Sequence, residues 1–301
     1  MQQFIDPFVR YLYEEAKDKK TIASYRTTVA HFLEWYEQRE GNIIIEETRP
    51  VDVKEYISYL KHQCKRKPAT INKYIAALKV FFSYLTEVGL VKDNPMTRIK
   101  TEKIEYAQGS SQTKWLTKEE QERFISYVEL EKNEFKRLRN LAIIDLMIYA
   151  GLRVNEVASL ELSDIQVKGN DVEIIVRQGK GNKYASVLLV QKYSRNLRKW
   201  LKYRQNLEKS THKESQRLFV SERSMFLTER AIQKMLTKYA DLANMKNITP
   251  HRFRHSFCKN LANAGTPIEI IRRLARHESI QTTAIYVDAS KEEQVQALRK
   301  M

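Results

Sequence analysis

Attack on a phosphodiester without a metal requires three things of a protein: cations for the nonbridging oxygens, a nucleophile, and groups that move protons. One C-terminal stretch of this 301-residue chain carries all three kinds of side chain. It runs through His251-Arg252-Phe253-Arg254-His255, then His277, then Tyr286 in Gln281-Thr282-Thr283-Ala284-Ile285-Tyr286. Upstream stand Arg153, in Gly151-Leu152-Arg153-Val154-Asn155-Glu156, and Lys180, in Gly179-Lys180-Gly181-Asn182-Lys183. Displacing an alkoxide from a phosphodiester builds negative charge on the nonbridging oxygens, and planar guanidinium groups match that geometry with paired hydrogen bonds. Arg153 and Arg254 are the candidates for that task. A free phenol has a pKa of about 10, so attack by Tyr286 near neutral pH needs proton removal or nearby cations that stabilise phenolate.

Each of these residues also has a plainer reading. Arg153 follows an apolar run and a glycine bend, with Glu156 three residues on to orient it. It reads equally as a surface cation at a helix N-terminus, where the macrodipole disfavours it. Lys180 sits at a hairpin tip, where lysines are usually solvated, and Lys183 is an equally basic neighbour. His251 and Arg254 lie three apart on a helix starting after Pro250, so they share a face and can address one phosphate. His251, His255 and Cys258 have the helical spacing of zinc ligands but lack a nearby cysteine pair and further donors, so neither a metal nor another cofactor is expected. His255 reads as a core histidine satisfied by hydrogen bonds. The Gly-Lys pair lacks the spacing and following helix of a nucleotide-binding phosphate loop.

The elements that must position these groups are mainly helical. Between residues 21 and 36 the apolar positions Ile22, Tyr25, Val29, Phe32, Leu33 and Tyr36 recur at three- and four-residue steps. Residues 6–16, 51–61 and 69–88 read the same way, and Gly89 supplies a stop. The first hundred residues therefore predict four or five helices and no strand. Periodicity lapses between residues 101 and 114, around Gly109-Ser110-Ser111, which is taken as a linker between a 1–100 domain and a 115–301 domain. In the second domain, Thr117 with Glu120 predicts a helix start, and the apolar run 141–150 predicts a central buried helix ended by Gly151. Residues 172–176 and 184–190 flank the 179–182 turn and predict a hairpin. Helices follow over 191–204, 228–242, 251–264, 267–277 and 279–287. His277 and Tyr286 are nine residues apart, about 900° of rotation on one helix, which would put them on opposite faces. A break after His277, with Ser279 as a new N-cap, lets the two converge.

Composition narrows the partner. With 53 Lys and Arg against 37 Asp and Glu, the formal net charge is +16, which favours a polyanion because cations that neutralise phosphates release condensed counterions. No run of about 18 apolar residues is present, and the N-terminus lacks the regions of a signal peptide. Cys64 and Cys258 are far apart and suggest no disulfide framework, which fits a reducing cytoplasm.

Taken together, the Arg153, Lys180, His251, Arg254, His277 and Tyr286 motifs resemble the tyrosine recombinase (phage integrase) family, especially its Xer-like members. The resemblance is specific from about residue 115 to 288. It extends more weakly to the first hundred residues through Thr21-Ile22-Ala23-Ser24-Tyr25 and Ala69-Thr70-Ile71-Asn72-Lys73-Tyr74. It implies an all-helical core-binding domain followed by a mixed α+β catalytic domain with a small hairpin or sheet. Tyr286 would be the nucleophile, His277 a phosphate ligand, His251 and Arg254 members of the catalytic set, and Glu156 and His255 supporting residues. Lys180, rather than Lys183, would protonate the departing 5′-oxygen. The implied activity is site-specific strand exchange through a 3′-phosphotyrosine and a Holliday junction, on double-stranded DNA with inverted-repeat core sites, by a tetramer; the alternatives are type IB topoisomerase-like DNA relaxation by the same chemistry without synapsis, and a non-catalytic sequence-specific DNA-binding regulator whose tyrosine is only core. The implied setting is the cytoplasm, at the nucleoid. No arm-binding module is expected before residue 1, as in compact Xer, plasmid or transposon recombinases. A tail helix over 290–301, with Val295, Leu298 and Met301 on one side, must dock that side somewhere; from sequence alone its own domain is the first choice, whereas the resemblance implies docking on a neighbouring protomer. Two positions depart from the family pattern: Arg276 stands where a glycine is expected before the second histidine, and Val287-Asp288 follow the tyrosine in place of polar or histidine residues.

Overall fold

The computed structural model describes residues 1–103, 115–178 and 183–286, together with residue 299. The chain divides into two units, Met1–Gly109 and Ser110–Met301.

In the first unit α1 (Gln2–Glu14), α2 (Lys19–Glu40), α3 (Pro50–His62) and α4 (Pro68–Glu87) pack around one core. Helix α1 begins earlier than its expected start at residue 6, because Phe4 and Ile5 extend the buried stripe that continues through Phe8 and Leu12. Asp18 caps α2, accepting from the Thr21 N–H at 3.0 Å, and Gly41 ends it in the left-handed conformation. Prolines at the first position of α3 and α4 cost nothing there, since that N–H has no partner within the helix. Phe32 sits at the centre, edge-on to Tyr56 at 5.1 Å and to Phe82 at 5.7 Å.

The second unit is built on α5 (Lys118–Glu129) and α6 (Glu134–Ile148), whose residues 139–148 are all buried. Helix α6 starts upstream of the apolar run because Asn133 caps it, accepting from the Lys136 N–H at 3.0 Å. A short α7 (Val154–Ser159) leads to a three-stranded antiparallel sheet in the order β1 (Ile165–Lys168), β2 (Asp171–Gln178), β3 (Lys183–Leu189). The hairpin expected from sequence is β2–β3, with Val172 facing Leu189 and Ile174 facing Val187. Strand β1 was not anticipated: it is four residues long and largely exposed, so it shows almost no alternation. The tip 179–182, and Lys180 with it, lies outside the described residues.

Then come α8 (Gln191–Gln205), α9 (Ser210–Lys213), α10 (Glu229–Leu242), α11 (Pro250–Asn263), α12 (Ile268–Ala275) and α13 (Gln281–Ala284). The break between the last two differs from the expected one. It falls at Arg276, before His277, where the backbone turns left-handed (φ 53°, ψ 47°) and the His277 N–H closes on the Arg272 carbonyl at 3.0 Å. Ser279 does accept from the Gln281 N–H at 3.2 Å, but the helix it precedes is one turn long. The expected tail helix lies outside the described residues. Among the described residues no helix is long and apolar enough to cross a membrane.

Candidate active site

The bend after α6 sets the first candidate cation. Gly151 is left-handed (φ 59°), and a Cβ there would overlap the Phe257 ring of α11, so the chain turns where no larger residue fits. Two residues on, Arg153 caps α7. Its N–H donates to Glu156 Oε2 at 2.7 Å, its Nη1 to Glu156 Oε1 at 2.8 Å, and its Nη2 to the Arg276 carbonyl at 3.1 Å. Glu156 is buried, while the Arg153 side chain is 37 % exposed and keeps an open edge.

Arg254, from α11, is buried and donates to two main-chain oxygens, Nη1 to Gly151 and Nη2 to Ala275. A third guanidinium joins them. Arg276, only 6 % exposed at its side chain, donates from Nη2 to Glu156 Oε2 at 2.8 Å and to the Gly151 carbonyl at 3.2 Å. Among the described residues, three guanidiniums around the one carboxylate of Glu156 leave two positive charges without an anion in this cluster. Burial, reinforced by Arg153 and Arg276, pulls the Arg254 pKa down to about 10. Burial alone would raise Glu156, but Arg276 and then Arg153 hold its carboxyl below the ordinary range. Such a concentration of fixed donors is suited to an oxyanion.

His277 follows directly on this cluster. Its Nδ1 is 2.9 Å from the Thr283 hydroxyl, and burial, then Arg254 and Arg153, lower its pKa to about 4, so the ring is neutral. Its plane lies 23° from that of Tyr286, with centroids 6.4 Å apart. Tyr286 is 1 % exposed, in a small core with Phe257, Cys258, Ile271 and Ala275. Its hydroxyl is hydrogen-bonded to His255 Nδ1, with the Cys258 thiol beside it. Lys259 Nζ donates to its carbonyl at 3.4 Å and lies over the Trp115 ring. Burial pushes the phenol pKa up, so the hydroxyl as placed is protonated and sequestered.

The structure thus connects Arg153, Glu156, Arg254, His277, His255 and Tyr286 through a continuous set of contacts. His251 is exposed on the first turn of α11, three residues before Arg254. His255 is half-buried, and its hydrogen bond is to the Tyr286 phenol. The sequence reading assigned no role to Arg276 or Thr283. The only signal for Arg276 was its place before His277, and for Thr283 none existed until the helix break was known. Among the described residues no group of three His, Cys, Asp or Glu is placed to hold a metal.

Residues 114–293 match the phage integrase family, and residues 4–90 match the N-terminal SAM-like domain of phage integrases. The chain is 31% identical to the tyrosine recombinase XerD of Lacticaseibacillus casei, covering 100% of this chain and 98% of that one. It is 29% identical to the TnP I resolvase of Bacillus thuringiensis, over 98% of this chain and 97% of the resolvase. In fold it matches the XerH site-specific recombinase bound to a palindromic difH substrate, a post-cleavage complex, with a TM-score of 0.73 and 22% identity over 92% of this chain and 78% of that one.

Proposed function

The chain belongs to the phage integrase family of tyrosine recombinases, with Xer-like relatives along its whole length, and on that premise we propose the route by which its side chains recombine DNA. It is a site-specific recombinase that cleaves and rejoins double-stranded DNA. The observation that carries the assignment of roles is the cluster of Arg153, Arg254 and Arg276 around one carboxylate, with a phenol one histidine away.

Arg153 and Arg254 hold the nonbridging oxygens of the scissile phosphate, assisted by His251 and His277, and take up the charge that develops as the bond to the leaving oxygen stretches. The Tyr286 hydroxyl gives up its proton to solvent as its oxygen attacks phosphorus, forming a 3′-phosphotyrosine, while the 5′-oxygen departs with a proton from Lys180. A 5′-hydroxyl of a partner strand then attacks the phosphotyrosine, restoring a phosphodiester and the free phenol. One ester replaces another at each step, so bond energy is retained. Two such exchanges in sequence form and resolve a Holliday junction. Glu156 and His255 support the set. Because the phenol hydroxyl is bonded to His255 and buried, it must leave that position before attack.

Residues 1–100 serve as the DNA core-binding domain, 101–114 as the linker and 115–301 as the catalytic domain. The substrate is a pair of inverted-repeat core sites held by a tetramer, with the C-terminal tail docked on a neighbouring protomer. The test is a nicked duplex that traps the covalent state. The parent should yield an SDS-resistant adduct, in EDTA as well as without it, and Tyr286→Phe should bind the duplex with about parental affinity and yield none. An adduct from the phenylalanine variant would move the nucleophile to another residue.

A further inference from the structure

Arg276 occupies a place that is unfavourable for it on two counts. Its backbone is left-handed, a region where a Cβ crowds the following carbonyl and glycine is the usual occupant. Its guanidinium is buried beside two other arginines, and its Nε has no hydrogen-bond partner among the described residues. Against these costs stand its contacts. The side chain donates to Glu156 Oε2 at 2.8 Å and to the Gly151 carbonyl at 3.2 Å, while its own carbonyl accepts from Arg153 Nη2 at 3.1 Å. Arg153 Nη1 in turn donates to Glu156 Oε1 at 2.8 Å. The contacts close a ring: Arg153 guanidinium, Glu156 carboxylate, Arg276 guanidinium, Arg276 backbone, and back to Arg153.

We propose that Arg276 is a positioning residue for strand cleavage, closing a side-chain and main-chain ring with Glu156 and Arg153 that holds the His277 segment and Arg153 in one geometry around the scissile phosphate. The inference rests on the recombinase reading above. By occupying Oε2 of Glu156 together with the Arg153 main-chain N–H, Arg276 keeps the Arg153 guanidinium on Oε1 alone. Without it, Arg153 can close on both carboxylate oxygens as a two-pronged pair, withdrawing from a phosphate. Among the described residues, the hydrogen bonds that then still tie the end of α12 to the turn that carries Arg153 are those from the Arg153 and Arg254 guanidiniums to main-chain oxygens. A plain helix-end role, in which Arg276 merely satisfies the C-terminal dipole of α12, predicts something different: a change in stability and none in chemistry.

The experiment measures single-turnover adduct formation on the nicked duplex at saturating protein, with DNA affinity and thermal melting measured alongside. Arg276→Gly suits the left-handed backbone, so the variant should melt at or above the parental temperature and bind DNA within about twofold of the parent. Its cleavage should slow by about 10- to 100-fold, the scale of a misplaced reacting geometry. Arg276→Lys keeps a charge near Glu156 and should recover part of that rate. In a Glu156→Gln background, replacing Arg276 by Gly should change the rate by no more than about twofold, since the partner through which it acts is gone. Parental cleavage by Arg276→Gly overturns the proposal, as does an equal loss in both backgrounds, or a loss fully accounted for by lower melting or weaker binding. A parent that forms no adduct would instead remove the signal from every variant and overturn the recombinase reading beneath it.

Discussion

Around Glu156 three guanidiniums direct their hydrogen bonds to main-chain carbonyls and one carboxylate, whereas around Tyr286 a phenol is packed among carbon and sulfur with an imidazole on its hydroxyl. The first region is assembled before any DNA arrives. Its donors are held by the turns at Gly151 and Arg276, so little reorganisation remains when a phosphate binds. The second is closed: burial raises the phenol pKa and hides the oxygen that would attack. On the proposed roles, recognition of phosphate would fall to a fixed structure and control of cleavage to the release of one side chain.

Removing a member of the fixed half should have the largest effect. Arg254→Ala should lower single-turnover adduct formation by at least about 10²–10³-fold at saturating DNA, the cost of one missing transition-state donor. It also unties Gly151 from Ala275, so the catalytic unit should melt earlier. Near-parental cleavage would mean that Arg254 is only a structural tie between those turns.

A smaller effect is expected at the junction of the two halves. Thr283→Val removes the hydroxyl on His277 Nδ1 while keeping the shape of a fully buried side chain. The histidine would then lose its fixed orientation, and cleavage should slow by about tenfold with affinity unchanged. A rate within error of the parent would separate His277 from the phosphate site.

The smallest effect is one of pH on stability. The His277 pKa is lowered to about 4 in the folded protein, against about 6.5 when free, so the unfolded chain takes up the proton first. Its contribution is therefore complete above about pH 6.5 and is lost as pH falls toward 4. Melting temperature should drop between about pH 7.5 and pH 5, and drop less in His277→Gln. An equal drop in both would place the histidine in a solvated, unshifted state, and would weaken the picture of a fixed field spreading from the arginines.

Much of this architecture was legible from local spacing. The helices over residues 21–36 and 69–88 and the buried run at 141–150 showed their apolar period, and the β2–β3 hairpin its turn residues; the i, i+3 relation of His251 and Arg254 follows from helix geometry alone. Strand β1 escaped because a four-residue exposed strand takes its pairing from β2 rather than from its own pattern. A helix break that lets His277 and Tyr286 converge is legible in kind, but the sequence places it after His277 and the structure at Arg276, since an arginine in a left-handed position leaves no mark in composition.

By itself the sequence determined which residue types are available for phosphodiester chemistry, the helical character of most elements, and the basic charge that selects a polyanionic partner. Only the tertiary structure decided that Arg254 reaches Gly151 across 103 residues of chain, that Arg276 reaches Glu156 across 120, and that the Tyr286 hydroxyl rests on His255. Periodicity reports neighbours three or four residues apart. Burial of a charge beside its counter-charge, and of a phenol among apolar groups, is settled by segments distant in sequence that meet only when the core closes.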